Sequence, residues 1–233
     1  MLNTRVLNTV GLLLVFLGIT MIPSSLWSIY YKEYNDVYSI LLSSVLTIIS
    51  GSFLYSLKYI INLKDNKSKK DLSSSDAFTI VTLGWLFSAL FGALPFYLSG
   101  NNLSFVDSFF ESMSGLTTTG ATILGSNSIS IEDLSHGLLF WRSFTHFLGG
   151  MGIIVFSIAL LPLLGIGGVQ LFRAEVAGPT ADKITPRIKQ TAKLLWGIYV
   201  GFVLFLTIIY YFEGMSFFDS LCHSFGTMAT GGF

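Results

Sequence analysis

Apolar residues gather into five long runs along the chain, at roughly 6–30, 37–61, 77–98, 137–164 and 194–212, separated by short polar linkers. A helix needs about 20 mostly apolar residues to cross the hydrocarbon of a bilayer. Each run therefore predicts one membrane-spanning helix, and the short linkers predict that the five pack as one bundle. Pro23 is expected to kink or end the first of them.

Two stretches break this pattern. Phe105 to Leu124, FVDSFFESMSGLTTTGATIL, begins as an amphipathic helix and passes into threonines and a glycine, carrying Asp107 and Glu111 with it. A lipid-facing segment does not carry that chemistry. Phe217 to Phe233, FFDSLCHSFGTMATGGF, is a second copy. Aligned without gaps, the two agree at Phe105/Phe217, Asp107/Asp219, Ser108/Ser220, Ser112/Ser224, Thr118/Thr230 and Gly120/Gly232.

Residues 105–115 as a helix would be about 16 Å long at 1.5 Å per residue, roughly half the hydrocarbon thickness. Such a helix enters a membrane and does not cross it. Asp107 and Asp219 would lie in its first turn, beside free backbone N–H groups and the positive end of the helix dipole. Its carbonyl end would sit near the middle of the membrane, where non-helical backbone is tolerated only if protein or a water-filled cavity satisfies it. Carbonyls and threonine hydroxyls turned inward there can replace the water shell of a cation. Gly120 and Gly232 would supply the backbone freedom and close approach such a segment needs. The plainer alternative for either stretch alone is an exposed Thr- and Gly-rich turn. Duplication, placement on one side and the half-length helices favour the re-entrant reading.

Composition agrees with a membrane setting: 52% of residues are hydrophobic, 15% aromatic and only 11% charged, where a soluble domain is about a quarter charged. A formal net charge of zero argues against a nucleic-acid partner. Cys222 is the single cysteine, so neither an internal disulfide nor a cysteine-based metal cluster can form. His136, His146 and His223 lack metal-ligand spacing, and GIGGVQLF has neither the preceding strand nor the following acid of a dinucleotide fingerprint. The first apolar run has only Arg5 before it and no small-residue cleavage pattern after it, so it reads as a retained helix.

Positive charge sets the orientation, because cytoplasmic loops retain Lys and Arg. Of the 13 basic residues, all but Lys32 and Arg142 fall before the first helix, around the linker that holds Lys64, Lys67, Lys69 and Lys70, or in the linker from Gly165 to Lys193. That places the amino terminus in the cytoplasm. The opposite side holds Glu33, Asp36, Asp107, Glu111, Glu132, Asp133, Glu213 and Asp219. Either this acidic face concentrates cations through its summed field, or the acids simply flank helices and avoid lipid.

Arg142 and His146 lie one turn apart in the fourth run, and ionisable groups inside a membrane are functional candidates. Arg142 can pair with a pore-loop acid such as Glu111, act in conduction, or snorkel to the interface. Gly149, Gly150 and Gly152 are expected to break up the same helix, for close packing or as a gating hinge.

Blocks FFESMSGLTTTGAT (109–122), WRSFTHFLGGMGIIVFSIALLPLLGIGG (141–168), LFRAEVAGPTADKITPRI (171–188) and CHSFGTMATGGF (222–233) resemble the membrane subunits of Trk-type potassium transporters, in the superfamily that also holds the Ktr and HKT proteins. The resemblance implies an all-α polytopic membrane protein of helix, re-entrant pore-loop, helix repeats, with about five transmembrane helices and two pore helices in this chain. Its division would be an extra amino-terminal helix pair and linker over 1–75, a first repeat over 76–168, a cytoplasmic linker over 169–193, and a second repeat over 194–233 that stops within its filter loop. Such proteins carry four repeats, so the chain is expected to be an incomplete part of a larger transporter.

By resemblance the function is potassium uptake across the plasma (inner) membrane, K+ being the transported ion and no cofactor being bound covalently. Thr118, Thr119, Gly120, Thr230, Gly231 and Gly232 would form the selectivity filter, supported by Asp107, Glu111 and Asp219, with Arg142, Gly149 and Gly150 in gating or structural roles. The implied partners are a cytosolic nucleotide-binding ring of the RCK type, membrane lipid, and a second copy in a homodimer of the full-length form. The alternatives are a non-conducting structural subunit or an inactive fragment. An enzyme such as an intramembrane protease would need paired Asp or Ser and His deep in helices, and those candidates cluster instead at the outer surface or in the repeats.

Overall fold

The computed structural model describes residues 4–62, 74–101, 103–125, 130–160 and 184–233, and all of their regular structure is helical. The order is α1 (Thr4–Tyr30), α2 (Tyr34–Asn62), α3 (Ser74–Gly92), α4 (Leu94–Leu98), α5 (Phe105–Leu116), a single 3-10 turn (Ile131–Asp133), α6 (His136–Leu160), α7 (Ile184–Phe212) and α8 (Phe217–Met228). Among the described residues four helices are long and apolar enough to cross a membrane, over 6–30, 34–57, 75–98 and 191–212. The remaining expected span is present as α6, whose 25 residues reach about 37 Å at 1.5 Å per residue.

Of the two outcomes expected at Pro23, an end does not occur, since the proline lies inside α1 and the helix runs on to Tyr30. The third span is present over 75–98, interrupted by one turn residue, Ala93, between α3 and α4, with Pro95 in the first turn of α4. Proline has no N–H to donate and crowds the carbonyl four residues back, so a first turn is its easiest place, as at Pro95, while membrane helices tolerate an interior proline such as Pro23. Trp141 of α6, fully buried, donates its indole N–H to the Gly92 carbonyl at this break (2.9 Å). The break expected at Gly149, Gly150 and Gly152 does not occur, and α6 is continuous through them.

Helices α1 and α2 form a tight hairpin. A Cβ on Gly11 would lie 2.7 Å from the Gly51 carbonyl oxygen, and one on Gly51 would lie 2.6 Å from that of Gly11. Only glycine lets the two backbones approach so closely. Ser44 donates across the same seam to the Gly18 carbonyl (2.6 Å), and Ser39 ties α2 to the end of α4 through the Leu98 carbonyl (2.8 Å). Met21, Ile40, Phe96, Leu138 and Trp141 fill one core between the hairpin, α4 and α6. Phe140, Met151, Tyr199, Val203, Phe218 and Phe225 fill a second between α6, α7 and α8. The outward faces of α1, α2 and α7 expose large apolar side chains such as Phe16, Ile49, Phe53, Phe202, Phe205 and Phe212, as a bilayer setting requires. The basic linkers over Lys64–Lys70 and Gly165–Lys183, including Arg173 and Pro179, lie outside the described residues; 184–190 is helical backbone continuous with α7.

Candidate functional site: a duplicated re-entrant turn

Helices α5 and α8 are both 12 residues long, about 18 Å at 1.5 Å per residue. They begin identically. Ser104 and Ser216 are the caps, each hydroxyl accepting from the backbone N–H of Asp107 or Asp219 at 3.1 Å and donating to that aspartate's carboxylate at 2.7 Å. Asp107 closes a capping box by accepting from the Ser104 N–H as well. Each arrangement satisfies donors that a helix start leaves free and puts negative charge at the positive end of its dipole.

They also end identically. The N–H of Thr118 donates to the Gly115 carbonyl (3.0 Å) and that of Thr119 to the Ser114 carbonyl (2.9 Å); Thr230 donates to Thr227 and Gly231 to Gly226, both at 3.0 Å. This pair of bonds is the Schellman closure, in which the residue after the cap takes left-handed backbone and is ordinarily glycine. Here it is threonine in both copies, with φ of 55° at Thr118 and 53° at Thr230. A β-branched side chain is strained in that region. Two residues further on, Gly120 and Gly232 are again left-handed, with φ of 72° and 85°. The sequence pairing found the matching positions Thr118/Thr230 and Gly120/Gly232 of the two copies but not that the threonines are the strained ones. The position of Thr118, just past the last helical residues where glycine is usual, was the available signal.

The two turns lie against each other. A Cβ on Gly120 would overlap the carbonyl oxygen of Gly231. Thr230 and Gly232 border an open cleft of about 340 Å³, lined also by His223, Gly226, Thr227 and Phe233. Ser114 donates to the Ala121 carbonyl (2.6 Å), and the Thr117 and Thr119 hydroxyls are 2.8 Å apart, so side chains of the first copy knit its own loop.

Behind the first turn lies Glu111, fully buried on α5. One carboxylate oxygen accepts from the Thr122 hydroxyl (2.5 Å) and the Ile123 N–H (2.8 Å), and the other accepts from Arg142 Nε (3.1 Å). The pairing weighed for Arg142 is therefore present, and a buried carboxylate holding three donors is well satisfied. Arg142 also lays its guanidinium 3.6 Å above the ring centre of Phe233. His146, one turn on, stacks on the same ring at 4.0 Å and fills the space beside Gly231, where a Cβ would come within 2.5 Å of the imidazole. The sequence marks His146, with Arg142, as an ionisable candidate inside the membrane, but its place against the second turn depends on packing that no spacing reveals.

Gly149 and Gly150 serve contacts. A Cβ on Gly149 would overlap the Leu116 carbonyl at the end of α5, and one on Gly150 would lie 2.5 Å from the Tyr199 hydroxyl. No group of three or more His, Cys, Asp or Glu suited to a metal ion occurs among the described residues. The oxygens available to a cation at the paired turns are backbone carbonyls and threonine hydroxyls.

The sequence model of a family described as TrkH, cation transport protein, matches residues 47–233. The chain belongs to the TrkH family. It is 41% identical over 230 residues to the Trk system potassium uptake protein TrkH of Vibrio parahaemolyticus, covering 98% of this chain and 45% of the relative. Against the protein of the same name from Escherichia coli K12 it is 42% identical, covering 96% of this chain and 44% of the relative. The crystal structure of the potassium transporter TrkH from Vibrio parahaemolyticus superimposes with a TM-score of 0.80 at 36% identity, over all of this chain and 44% of that one. This TrkH-family chain thus spans a little under half the length of the relatives it matches. It is a membrane protein of a transport family, not of an enzyme family.

Proposed function

We propose that the chain forms part of a pathway that takes up potassium across the plasma membrane, with segments 117–123 and 229–232 as two walls of its selectivity filter. The observation that carries this reading is the duplicated turn: two half-length helices close on strained threonines of the same hand, and their loops touch at Gly120 and Gly231. Strain of this kind persists only where surrounding structure enforces it, and it clusters at functional positions.

On this reading the carbonyls of Thr118, Thr119, Gly120, Thr230, Gly231 and Gly232 replace the water shell of the ion. Asp107 and Asp219 fix the helix starts, and Glu111 anchors the returning loop. The names of the relatives, potassium uptake proteins, support potassium as the cargo. Residues 1–75 would be an accessory helix pair, 76–168 a first repeat, 169–193 a cytoplasmic linker and 194–233 the start of a second repeat. Charge distribution supports a cytoplasmic amino terminus. The basic linker would meet a cytosolic nucleotide-binding ring of the RCK type, and two copies of the whole transporter would pair. Charge reversal at Arg173 and Lys183 tests the ring contact by measured binding.

The test of transport is rubidium uptake in a bacterium stripped of its own potassium uptake systems, comparing the protein expressed from its intact gene with Gly120→Ser. Restored growth on low potassium with the unmodified protein, and loss of it with the variant at equal membrane abundance, is the expected result. No rubidium uptake by the unmodified protein would defeat the reading.

A further inference from the structure

Resting on the reading of 117–123 and 229–232 as filter segments, we propose that Arg142 and His146 of α6 are positioning residues for both segments at once, making one helix the brace that couples neighbouring filters. Four contacts converge on this edge of α6. Arg142 Nε holds Glu111, and the same carboxylate holds Thr122 and Ile123 just past the first turn. The guanidinium carbon lies 3.6 Å from the centre of the Phe233 ring, just past the second turn. His146 stacks on the same ring, 4.0 Å away at 26°, and backs Gly231. Phe233 in turn reaches α5, since a Cβ on Gly115 would lie 3.1 Å from its Cε2.

His146 marks the edge as more than packing. It is fully buried, and neither ring nitrogen has a hydrogen-bond partner. An unpartnered buried polar group costs free energy, and an apolar ring of similar size would fill the space without that cost. The imidazole touches both the Phe233 ring and the Gly231 backbone, so it ties α6 directly to the second segment. Arg142 is likewise not replaceable by Lys, because a point charge keeps the attraction to Glu111 and loses the planar group that covers the ring. A shift of the Glu111–Arg142 pair is thereby transmitted to the second segment through one rigid aromatic ring, and a shift of Phe233 is transmitted back to Thr122 and Ile123.

The test uses Arg142→Lys, Phe233→Leu and the double variant in the protein expressed from its intact gene. The first readout is backbone hydrogen exchange of the purified protein, which does not depend on transport. Arg142→Lys should speed exchange at least threefold at both 118–123 and 230–233, and Phe233→Leu should speed it at 122–123 as well as locally. Exchange confined to the mutated side in both variants overturns the coupling. The second readout is the ratio of rubidium to sodium uptake, which should fall about fivefold in either single variant and no further in the double, as residues of one network behave. Multiplicative losses in the double variant also overturn it. If the unmodified protein takes up no rubidium, the transport reading fails while the exchange result still decides the coupling.

Discussion

Arg142 Nε donates to Glu111 Oε2 across 3.1 Å in a setting where the two side chains are 5% and 0% exposed. Removing one partner strands the other as an uncompensated buried charge, a loss of about 3–5 kcal/mol. Arg142→Ala should therefore lower unfolding free energy in detergent by about that much, and Glu111→Gln by a comparable amount. Arg142→Met combined with Glu111→Gln should recover part of it, because no charge is left buried. A loss in that double variant equal to the sum of Arg142→Met alone and Glu111→Gln alone would show that the pair is not an energetic unit.

Thr118 is a β-branched residue at φ 55°, which costs about 1–3 kcal/mol relative to a residue at ease there. Thr118→Gly removes the strain and the hydroxyl together. Stability should rise by about 1 kcal/mol while rubidium uptake loses selectivity against sodium. A fall in stability would mean that side-chain contacts of Thr118 outweigh its backbone strain.

Gly149 and Gly197 are both helical, but only the first has a neighbour in the way. Gly149→Ala forces its Cβ into the Leu116 carbonyl and should destabilise by about 1–3 kcal/mol. Gly197→Ala, with open space around it, should be neutral or stabilising by up to about 1 kcal/mol. Equal melting temperatures for the two variants would contradict the packing role.

Gly150 tests gating separately, since its obstacle is the end of the Tyr199 side chain. If α6 flexes at this point, Gly150→Ala changes open probability in single-channel recordings and leaves ion selectivity intact. Unchanged open probability assigns Gly150 to packing alone.

Just past the end of α1, Tyr31 stacks on His136 at 3.5 Å, and His136 bonds Glu33 at 2.8 Å. Burial first, and then the negative charge that Tyr30, Asp219 and Glu33 can carry, raises the Tyr31 phenol above its ordinary value of 10.0. A raised folded-state value means that the native protein holds its proton longer than the unfolded chain does. Stability from this group is complete below pH 10 and is lost as pH climbs through the folded value. Thermal unfolding of wild type should weaken above pH 10 more steeply than that of Tyr31→Phe; matching slopes would remove Tyr31 from the account.

Most of the architecture was legible because a bilayer imposes a length rule that unbroken apolar runs obey. Where the rule is silent the reading slipped. Pro23 sits in a helix that continues past it, and Pro95 sits where one helix gives way to another, yet both lie in equally apolar sequence. At the second, Trp141 reaches the Gly92 carbonyl from another helix, a contact between distant segments that apolar sequence does not display. Glu111 and Arg142 could be paired from sequence, because two charges inside a membrane seek each other. His146 could not be placed, since a lone imidazole has no such obligation and its neighbours Gly231 and Phe233 are 85 or more positions away. The repeat displayed its glycines, but backbone hand at Thr118 and Thr230 leaves no mark in composition.

That hand has a stereochemical consequence. At 118 and 120, and again at 230 and 232, the backbone adopts the torsions that suit the mirror-image amino acid, with a residue of ordinary hand between. The loop is thus a homochiral chain folded to a heterochiral pattern. The left-handed torsions at 120 are the ordinary ones of a D-residue, whereas the Cβ of an L-alanine there would strike the Gly231 oxygen, so D- and L-alanine, equal in bulk and opposite in hand, would separate backbone conformation from side-chain size.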